Sequence, residues 1–429
     1  MYLTERIKIA PPPDALAKLW EVSARSCEVW NLLNQERREA KVGYLRQKKF
    51  LPLLKRAQPE YQVPSSQVLQ EVVKSLQGAW ASFFTKRKHG DPGVRPPGFK
   101  SRTRFFTQKY PQARTAFQVA EGTLRLAYGQ VPGDWIVISL PPLKADPSTY
   151  KTVTISYDEV QHVWYASFTR EVPLPAPVQG AQVLVFDPGC KTALMGLRSD
   201  RTVWEYDLTP LRTLNLNHYH LIDRLTSARD TKVKGSRLHR RFRKKVKRLY
   251  RKLNTQTKQY LHKLANQILA DHPDVARFQI GDWDKRATLA DTGSPFVNHR
   301  INRTVQNANP LQRLVGYLSY KAALQGKEVT KVDEEGTTRT CSDCHHVIAG
   351  GLPPSVRTFR CPACGFTTGR DLNSTLNLMA RFHPAVWHGL RGAPVPLRSA
   401  RRAYSARSGT NRPVLRRTLI LHYQDARGL

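Results

Sequence analysis

Hydrophobic and polar residues follow two different periods in the first hundred positions. Residues 1–10 alternate polar and apolar side chains and end at a run of prolines, which predicts a strand followed by a break. From Asp14 onward, and again after Pro64, apolar residues recur at helical spacing. We therefore expect two helices with one buried face each, the first of them capped by Asp14.

The alternating pattern returns in residues 117–138 and is clearest in residues 153–172, where a turn near Asp158 divides two strands. These strands and the N-terminal strand are expected to form one small β domain, which the helical segment divides in sequence. Residues 86–100 contain too many glycines and prolines for a helix. That segment is predicted to be a cationic loop, which either meets a polyanion or is simply solvated.

A third pattern begins after residues 173–180, which have the composition of a linker. A buried strand is predicted at 181–186 and two more at 192–197 and 202–208, an arrangement typical of an antiparallel meander. Helices and strands then alternate, which indicates a mixed α/β domain. After the long helices that follow the meander, the predicted elements are a strand at 275–280, a helix at 310–325, a strand at 328–332 and a closing helix at 372–381.

The composition of the chain indicates which class of molecule it binds. The chain has 429 residues, of which 40% are hydrophobic, so it can form two or three folded domains. It carries 69 Lys and Arg against 33 Asp and Glu, a formal charge of +36, and such an excess disfavours a compact fold without a polyanion. Nucleic acid is therefore the expected partner. No apolar run approaches the ~20 residues of a membrane span and no signal-like segment opens the chain, so a cytoplasmic location is expected.

The densest cationic segment is residues 232–252, which contain twelve Lys and Arg and no acidic residue. A helix with one packed face is predicted there, because an apolar stripe runs through the segment. Residues 385–429 are also basic, but they are aperiodic and rich in proline and glycine, so a disordered or RNA-ordered tail is expected. The members of the stripe are Leu238, Phe242, Val246 and Leu249.

Four of the six cysteines form two Cys-x-x-Cys pairs. Cys341 and Cys344 are separated by sixteen residues from Cys361 and Cys364, a spacing typical of a tetrahedral four-thiolate zinc site. Such a site is closed, so it stabilises a small fold and does not catalyse; a redox pair is the alternative. His345 and His346 are expected to be solvent-exposed rather than ligands, and Cys27 and Cys190 to be ordinary packed thiols.

Two aspartates stand at the ends of predicted elements. Asp187 follows a buried strand and precedes Pro-Gly, and Asp371 opens the closing helix. Either alone would more often form a turn or cap a helix. Together, in so basic a chain, they are natural ligands for Mg²⁺, and two such ions between carboxylates can polarise a phosphodiester and activate water.

The order of these features resembles the TnpB family, the RNA-guided nucleases of bacterial insertion sequences, which are related to compact type V CRISPR effectors. The specific part of the resemblance is a strand ending in DPGCK at 187–191, a basic helical stretch, a ribbon of the type TCSDC…CPAC, and the motif that runs from Gly369 to Asn377. Segments 83–101 and 164–168 resemble the family more loosely.

The resemblance implies a multi-domain α+β protein. Its parts would be a small wedge-like β-barrel (residues 1–13 and 101–178), an inserted helical recognition lobe (14–100), a RuvC nuclease domain of RNase H fold (181–336 and 370–384), an inserted zinc ribbon (337–369) and the basic tail. It also implies a guide RNA that pairs with one strand of target DNA beside a short flanking motif. The protein, expected to be a monomer, would contact phosphates through Arg95, Lys100, Arg240, Arg241, Arg243, Lys244, Lys245, Lys247 and Arg248.

A third carboxylate is also implied, a glutamate at the end of the strand at 275–280, yet position 281 is glycine. Some family members resemble this chain in having Gly-Asp at that place and a glutamate shortly before the first zinc cysteine, which here matches Glu334. In an RNase H sheet the two strand ends would be neighbours about 4.8 Å apart, a gap that a glutamate covers in good part. We therefore expect Asp187, Glu334 and Asp371 to bind two Mg²⁺ ions and catalyse, and Asp282 stays the alternative third ligand.

Three activities remain open from the sequence. The first is an RNA-guided, Mg²⁺-dependent DNA endonuclease that cleaves in a single RuvC site. The second is a nuclease-inactive, repressor-like RNA-guided DNA-binding protein, which would account for Gly281 but not for the two retained aspartates. The third is a plain zinc-ribbon DNA-binding factor, which leaves the large α/β domain unexplained and is ranked last.

Overall fold

A computed structural model describes residues 1–91, 93–129, 133–180, 182–189, 194–282, 302, 310–353, 356–391, 397–403 and 418–419. The chain divides into two compact units, Met1–Pro173 and Leu174–Leu429. The division falls at the start of the segment that was predicted to be a linker. Among the described helices, none combines the length with the apolar character that a membrane span requires.

The N-terminal unit contains a β domain that is split in sequence, as predicted. Its first strand pairs antiparallel with its last, and the strand order of this sheet is β1-β7-β6-β2; a second sheet has the order β3-β4-β5. Side chains from both sheets share one core. The elements are β1 (Tyr2–Ile9), α1 (Pro13–Ala40), α2 (Tyr44–Ala57), α3 (Ser66–Lys88), β2 (Gln108–Tyr110), β3 (Phe117–Ala120), β4 (Thr123–Ala127), β5 (Trp135–Ser139), β6 (Tyr150–Asp158) and β7 (Val163–Glu171).

The three helices lie between β1 and β2 in sequence and pack their apolar faces together. α1 begins two residues earlier than expected, because its N-cap is Pro12 and not Asp14; Pro13 is its first residue, a position where proline loses no hydrogen bond. The prediction that Asp14 caps α1 is therefore wrong; Asp14 lies in the first turn, where its charge favours the helix dipole. Ser65 caps α3, its Oγ accepting from the backbone N–H of Val68 at 3.4 Å.

The C-terminal unit is built on a seven-stranded sheet of order β12-β11-β8-β9-β10-β15-β16. The three strands β8, β9 and β10 form the predicted antiparallel meander, whereas β8, β11 and β12 run parallel. The elements are β8 (Gln182–Pro188), β9 (Leu194–Arg198), β10 (Val203–Asp207), α4 (Thr209–Asp230), α5 (Arg237–Asp271), β11 (Val275–Gly281), α6 (Leu311–Ala323), β12 (Glu328–Val332), β13 (Thr358–Arg360), β14 (Thr367–Gly369), α7 (Arg370–Phe382), α8 (Pro384–Arg391), β15 (Leu397–Ala403) and β16 (Thr418–Leu419).

Helices cover both faces of this sheet, which explains why β8 is a continuous apolar run. Leu184 and Phe186 pack in a core that includes residues of α5 and α6. Val183 and Val185 pack on the opposite face, in a core that includes residues of α7. Because successive side chains of a strand alternate between faces, Asp187 follows Val183 and Val185 onto the α7 face.

Part of the segment predicted to be a disordered tail is regular. It contains α8 and the backbone of β15, which pairs parallel with β10. The edge of β10 supplies the unpaired backbone groups that order such a strand, a long-range effect that leaves no periodic signal in the tail itself. Residues 392–396, 404–417 and 420–429 of the tail lie outside the described residues.

Candidate functional site

The carboxyl ends of three parallel strands meet at one edge of the sheet in the C-terminal unit. The register of β8 and β11 pairs Phe186 with Ile280, and that of β11 and β12 pairs Gly281 with Val332. Residues that directly follow these positions therefore lie side by side. This brings Asp187, one residue beyond Phe186, and Glu334, two residues beyond Val332, to the same edge of the sheet.

Asp187 is the most deeply placed carboxylate of this edge, with only 7% of its surface exposed. Burial raises its pKa well above the usual range, and the nearby carboxylates of Glu334 and Asp371 raise it further. Asp371 lies in the first turn of α7, which packs against β8 and β9. Three predicted site residues, distant in sequence, thus form one acidic cluster in which like charges disfavour ionisation.

Gly281 leaves the space that the Glu334 side chain fills. A Cβ placed on Gly281 would collide with Oε2 of Glu334 and would lie 3.2 Å from the Cβ of Glu334. It would also lie 3.0 Å from Cδ of Pro188, the residue after Asp187. Glu334 can therefore pack here only because residue 281 has no side chain.

Glu334 has the properties of an unsatisfied ligand. Its Oε2 is buried, and among the described residues no donor reaches it. Burial, followed by the charges of Asp282 and Asp333, raises its pKa to about 7. A buried carboxylate oxygen without a donor is costly unless it is protonated or meets a cation, so the donor set fits a divalent ion with hard oxygen ligands.

Asp282, the alternative third ligand, is placed differently. Its side chain is 53% exposed and pairs with Lys331, the Nζ to Oδ1 distance being 2.7 Å. Its backbone N–H donates to the carbonyl of Val332 at 2.8 Å, which continues the β11–β12 ladder. The charge of Asp282 raises the pKa of Glu334. The carboxylates that raise the pKa of Asp187 are those of Glu334 and Asp371.

Two arginines at this edge were not singled out from the sequence. Arg357 pairs with Asp371 through its Nη2, and the side chain of Arg370 donates to the carbonyl of Pro353 at 3.0 Å. Both cations partly offset the upward shift in the pKa of Asp187. Arg370 directly precedes Asp371, which was a usable signal. Arg357 lies between the two cysteine pairs, fourteen residues before Asp371, and only the fold brings the two together.

The four predicted cysteine ligands converge, all their sulfur atoms lying within 4.8 Å of one another. Cys341 and Cys364 have their Sγ atoms 3.7 Å apart, and Cys344 and Cys361 3.5 Å. A tetrahedral zinc site with bonds of ~2.3 Å requires sulfur atoms roughly 3.8 Å apart, so these thiols fit Zn²⁺. Over the stretches that the structure covers, no other set of three or more His, Cys, Asp or Glu ligand atoms is gathered as closely.

The two cysteine pairs adopt the same turn. In each, the backbone N–H of the first cysteine donates at 2.8 Å to the carbonyl of the residue five positions ahead, which is His346 or Phe366. In each, the residue after the second cysteine has a left-handed backbone: His345 at φ 63° and Gly365 at φ 73°. His345 and His346 are exposed and Cys27 is buried, as predicted, while Cys190 lies outside the described residues.

Asn373 joins the cysteine turns to α7. Its Nδ2 donates to the carbonyl of Thr340 at 2.8 Å, and its Oδ1 accepts from the backbone N–H of Ser342 at 3.0 Å. One turn later, Asn377 donates to the carbonyls of Thr337 and Thr340 at 2.8 and 2.7 Å. The first turn of α7, which carries Asp371, is thus fixed to the residues that flank the first cysteine.

The cations predicted to contact nucleic acid lie in both units. Arg95 and Lys100 are exposed in the N-terminal unit. On α5 the exposed members are Arg240, Arg241, Arg243, Lys244, Lys245 and Arg248, while Lys247 is half-buried. The predicted apolar stripe holds in part: Val246 is buried against α4 and Leu249 packs beside it, but Leu238 is 50% exposed.

Comparison with known proteins agrees with this arrangement. A sequence profile of the Cas12f1-like TNB domain matches residues 312–378, the segment that contains the four cysteines and Asp371. A Streptomyces pristinaespiralis protein described as an RNA-guided DNA endonuclease is 30% identical over 324 residues, which are 74% of this chain and 71% of that protein. InsQ of Escherichia coli K12, described in the same words, is 27% identical over 326 residues, 74% of this chain and 75% of InsQ.

The fold has a solved counterpart. A cryo-EM structure of a Cas12f1–sgRNA–target DNA complex contains a chain that superposes with a TM-score of 0.56 at 14% identity, covering 85% of this chain and 82% of that one. The predicted mixture of sheets and helices is confirmed at this level. On the sequence relationship to these endonucleases, the chain belongs to the TnpB family of RNA-guided DNA endonucleases, which is related to the type V effectors.

Proposed function

We propose that this chain is an RNA-guided DNA endonuclease that hydrolyses a phosphodiester of its target at one RuvC-type site formed by Asp187, Glu334 and Asp371. One observation carries this assignment: Glu334, whose buried Oε2 meets no donor in the described part of the chain, fills the space above Gly281 beside Asp187. A site that had lost its glutamate would leave that space empty. The relatives described as RNA-guided DNA endonucleases support the same activity.

The three carboxylates would hold two Mg²⁺ ions. When bound, such ions polarise the phosphodiester and activate water for in-line attack on phosphorus. The chain's own contribution is two carboxylates, Asp187 and Glu334, whose pKa values are raised by burial and by neighbouring carboxylates, so both would release protons when cations bind. Arg357 neutralises part of the charge of Asp371 and places a guanidinium at the edge where a phosphate would enter.

The remaining parts have separate tasks. Cys341, Cys344, Cys361 and Cys364 would hold a structural Zn²⁺ that fixes the ribbon of residues 337–369 on the nuclease domain. The N-terminal unit would supply the wedge-like β domain and the helical lobe. Guide RNA would select the target by base pairing, while the exposed cations of α5, with Arg95 and Lys100, contact phosphates without reading sequence.

The test is cleavage of a plasmid library, randomised beside a fixed target, by the full chain purified with its native RNA in Mg²⁺. Wild type should cut, Asp187→Ala and Glu334→Ala should bind the target without cutting, and Asp282→Ala should still cut. Tight guide-dependent binding by a wild type that never cuts would instead identify a nuclease-inactive, repressor-like protein. Cutting that survives Glu334→Ala but not Asp282→Ala would move the third ligand to Asp282.

A further inference from the structure

The N-terminal unit contains a cleft with an aromatic wall and a cationic rim. It encloses about 800 Å³ between the end of α1, the end of α3 and the segment that contains Pro96. We call it the aromatic cleft; its wall is formed by Trp80, Phe83 and Phe84, and its cations are Arg37, Arg38, Lys41 and Arg87. The proposed catalytic carboxylates and cysteine ligands all belong to the other unit.

One ring of the wall, that of Phe84, is not covered by the unit itself. Phe84 is 57% exposed, and its ring lies 5.6 Å from that of Trp80 with the two planes 33° apart. Trp80 is held in place, because its Nε1 donates to Oδ1 of the buried Asn34 at 3.0 Å. Asn34 in turn donates to the carbonyl of Pro97 at 2.8 Å. Trp80 and Phe83 are themselves buried, so Phe84 is the exposed ring of the wall, and an exposed ring held against fixed neighbours can accept another flat ring.

Arg37 supplies a buried donor beside this wall. The residue is only 8% exposed; its Nε donates to Oε1 of Gln47 at 2.5 Å and its Nη1 to Oε1 of Gln77 at 2.7 Å. Its Nη2 is buried and, within the described part of the chain, meets no acceptor. A buried guanidinium donor without an acceptor is costly, so the cleft is complete only when a ligand brings an oxygen or ring nitrogen.

The rim attracts anions. Arg38 and Arg87 are exposed, and among the residues described here neither forms a salt bridge with a carboxylate. Arg38 is oriented by the neighbouring segment, since its Nη2 donates to the carbonyl of Pro97 at 2.6 Å and its guanidinium lies 4.7 Å above the ring of Phe99. Aromatic surface beside uncompensated, positioned arginines is the pattern that binds nucleotides through stacking and phosphate contacts.

We propose that the aromatic cleft binds one unpaired nucleotide of single-stranded RNA. Its base stacks on Phe84, a carbonyl or ring nitrogen of the base accepts from Nη2 of Arg37, and the adjoining phosphates meet Arg38 and Arg87. RNA is the occupant because proteins read RNA chiefly through unpaired bases stacked on aromatic side chains, whereas bases of a duplex are already stacked and paired. The inference rests on the proposed function in one respect, that RNA is a partner of this chain.

The test compares Phe84→Ala with Phe50→Ala in the full chain freed of nucleic acid. Phe50 is the matched control, a partly exposed phenylalanine of α2 outside the cleft. The probes are a short unstructured RNA, its all-deoxy counterpart and the corresponding RNA duplex. Phe84→Ala should raise the Kd for the single-stranded RNA about tenfold, which is within the range found when base–aromatic stacking is removed. The Kd for the duplex should not change. Phe84→Tyr should bind as wild type, and Phe50→Ala should change neither.

The same experiment has outcomes that overturn the proposal. The proposal is wrong if Phe84→Ala binds the single-stranded RNA as wild type does. It is also wrong if Phe84→Ala loses as much affinity for the duplex as for the single strand, or loses more affinity for the deoxy strand than for the RNA. Thermal unfolding of Phe84→Ala checks that the fold is intact, which is expected because the side chain is mostly exposed. Guide-dependent cleavage by wild type separates the two proposals: if cleavage occurs and Phe84→Ala binds RNA normally, only the aromatic cleft is misassigned.

Discussion

The side chain of Glu334 occupies the space in which a side chain at Gly281 would have to lie. Gly281 ends β11, and Glu334 lies two residues beyond the end of the neighbouring parallel strand β12. The two positions are complementary, because Gly281 has no Cβ and Glu334 places its carboxylate in the space that remains. The third carboxylate of the acidic edge therefore comes from the segment that follows β12, not from the end of β11. Because the geometry leaves room for only one of the two side chains, substitutions at these positions should be strongly coupled.

Gly281→Ala should lower guide-dependent DNA cleavage roughly 100-fold or more, equivalent to about 2.7 kcal/mol in the activation barrier. The added methyl group would displace Glu334 and press on Pro188 beside Asp187. The measurement is the single-turnover cleavage rate. Gly316→Ala is the matched control, since a Cβ at this helical glycine meets nothing within 4 Å and should leave the rate unchanged.

A double substitution tests the complementarity directly. Gly281→Glu should be inactive because its side chain meets Glu334, and Glu334→Gly should be inactive because the ligand is missing. Combining them returns the carboxylate to β11 and should cleave at least about tenfold faster than either single variant. A double variant no more active than the single ones would show that the two positions do not share a site.

Cleavage at limiting Mg²⁺ should rise with pH through about 7. The pKa of Glu334 is raised to about 7, and only the ionised carboxylate binds the cation, so protonation competes with Mg²⁺. Asp282→Asn should shift this profile to lower pH, because the charge of Asp282 helps to raise the pKa of Glu334. If neither the Mg²⁺ concentration nor Asp282→Asn changes the pH dependence of the cleavage rate, the assignment of Glu334 is wrong.

The raised pKa of Glu334 also predicts how the stability of the metal-free protein depends on pH. The folded state holds the proton of Glu334 more tightly than the unfolded chain, whose pKa is 4.5, so the folded state binds more protons between these values. The free energy of unfolding should therefore fall as pH rises from about 4.5 to about 7. Urea unfolding of wild type and Glu334→Gln, without divalent ions, measures this; Glu334→Gln should lose that part of the pH dependence.

Asn373→Ala should impair both zinc retention and cleavage. The substitution leaves the backbone N–H of Ser342 without its acceptor and removes one of the two side-chain donors to the carbonyl of Thr340, so α7 loses contacts made two residues from Asp371. Zinc release to a chromogenic chelator and cleavage rate should change together. Ser374→Ala is the control, because its buried Oγ has no partner in the described residues and its loss should cost little.

Removing exposed cations from α5 should weaken the salt dependence of binding. Arg241, Lys244 and Arg248 lie at helical spacing on one face, and replacing all three with glutamine should reduce the slope of log affinity against log salt by about 2 to 3 on duplex. Lys258→Gln, an exposed lysine of the same helix beyond the cationic segment, should change the slope by less than one. An unchanged slope in the triple variant would mean that this face is only solvated.

Local patterns in the sequence determined much of the architecture. The apolar run before Asp187 specified a strand buried on both faces, the alternation around residues 194–207 specified the meander, and the cysteine spacing specified a four-thiolate cluster. These features follow from side-chain period and turn chemistry within a few residues, which the sequence displays directly. α2 was not predicted, because Pro52 and its many cations hide a helix whose apolar face is fixed by packing against α3.

Tertiary structure alone decided which groups share a site. Only the parallel pairing of β11 with β12 shows that Glu334 fills the space at Gly281, and only the fold places Arg357 against Asp371. The strand in the basic tail likewise depends on the edge of β10. Such contacts join residues that are far apart along the chain, and no local period records them. The sequence therefore determined the elements and the candidate ligands, whereas their convergence required the distances that folding sets.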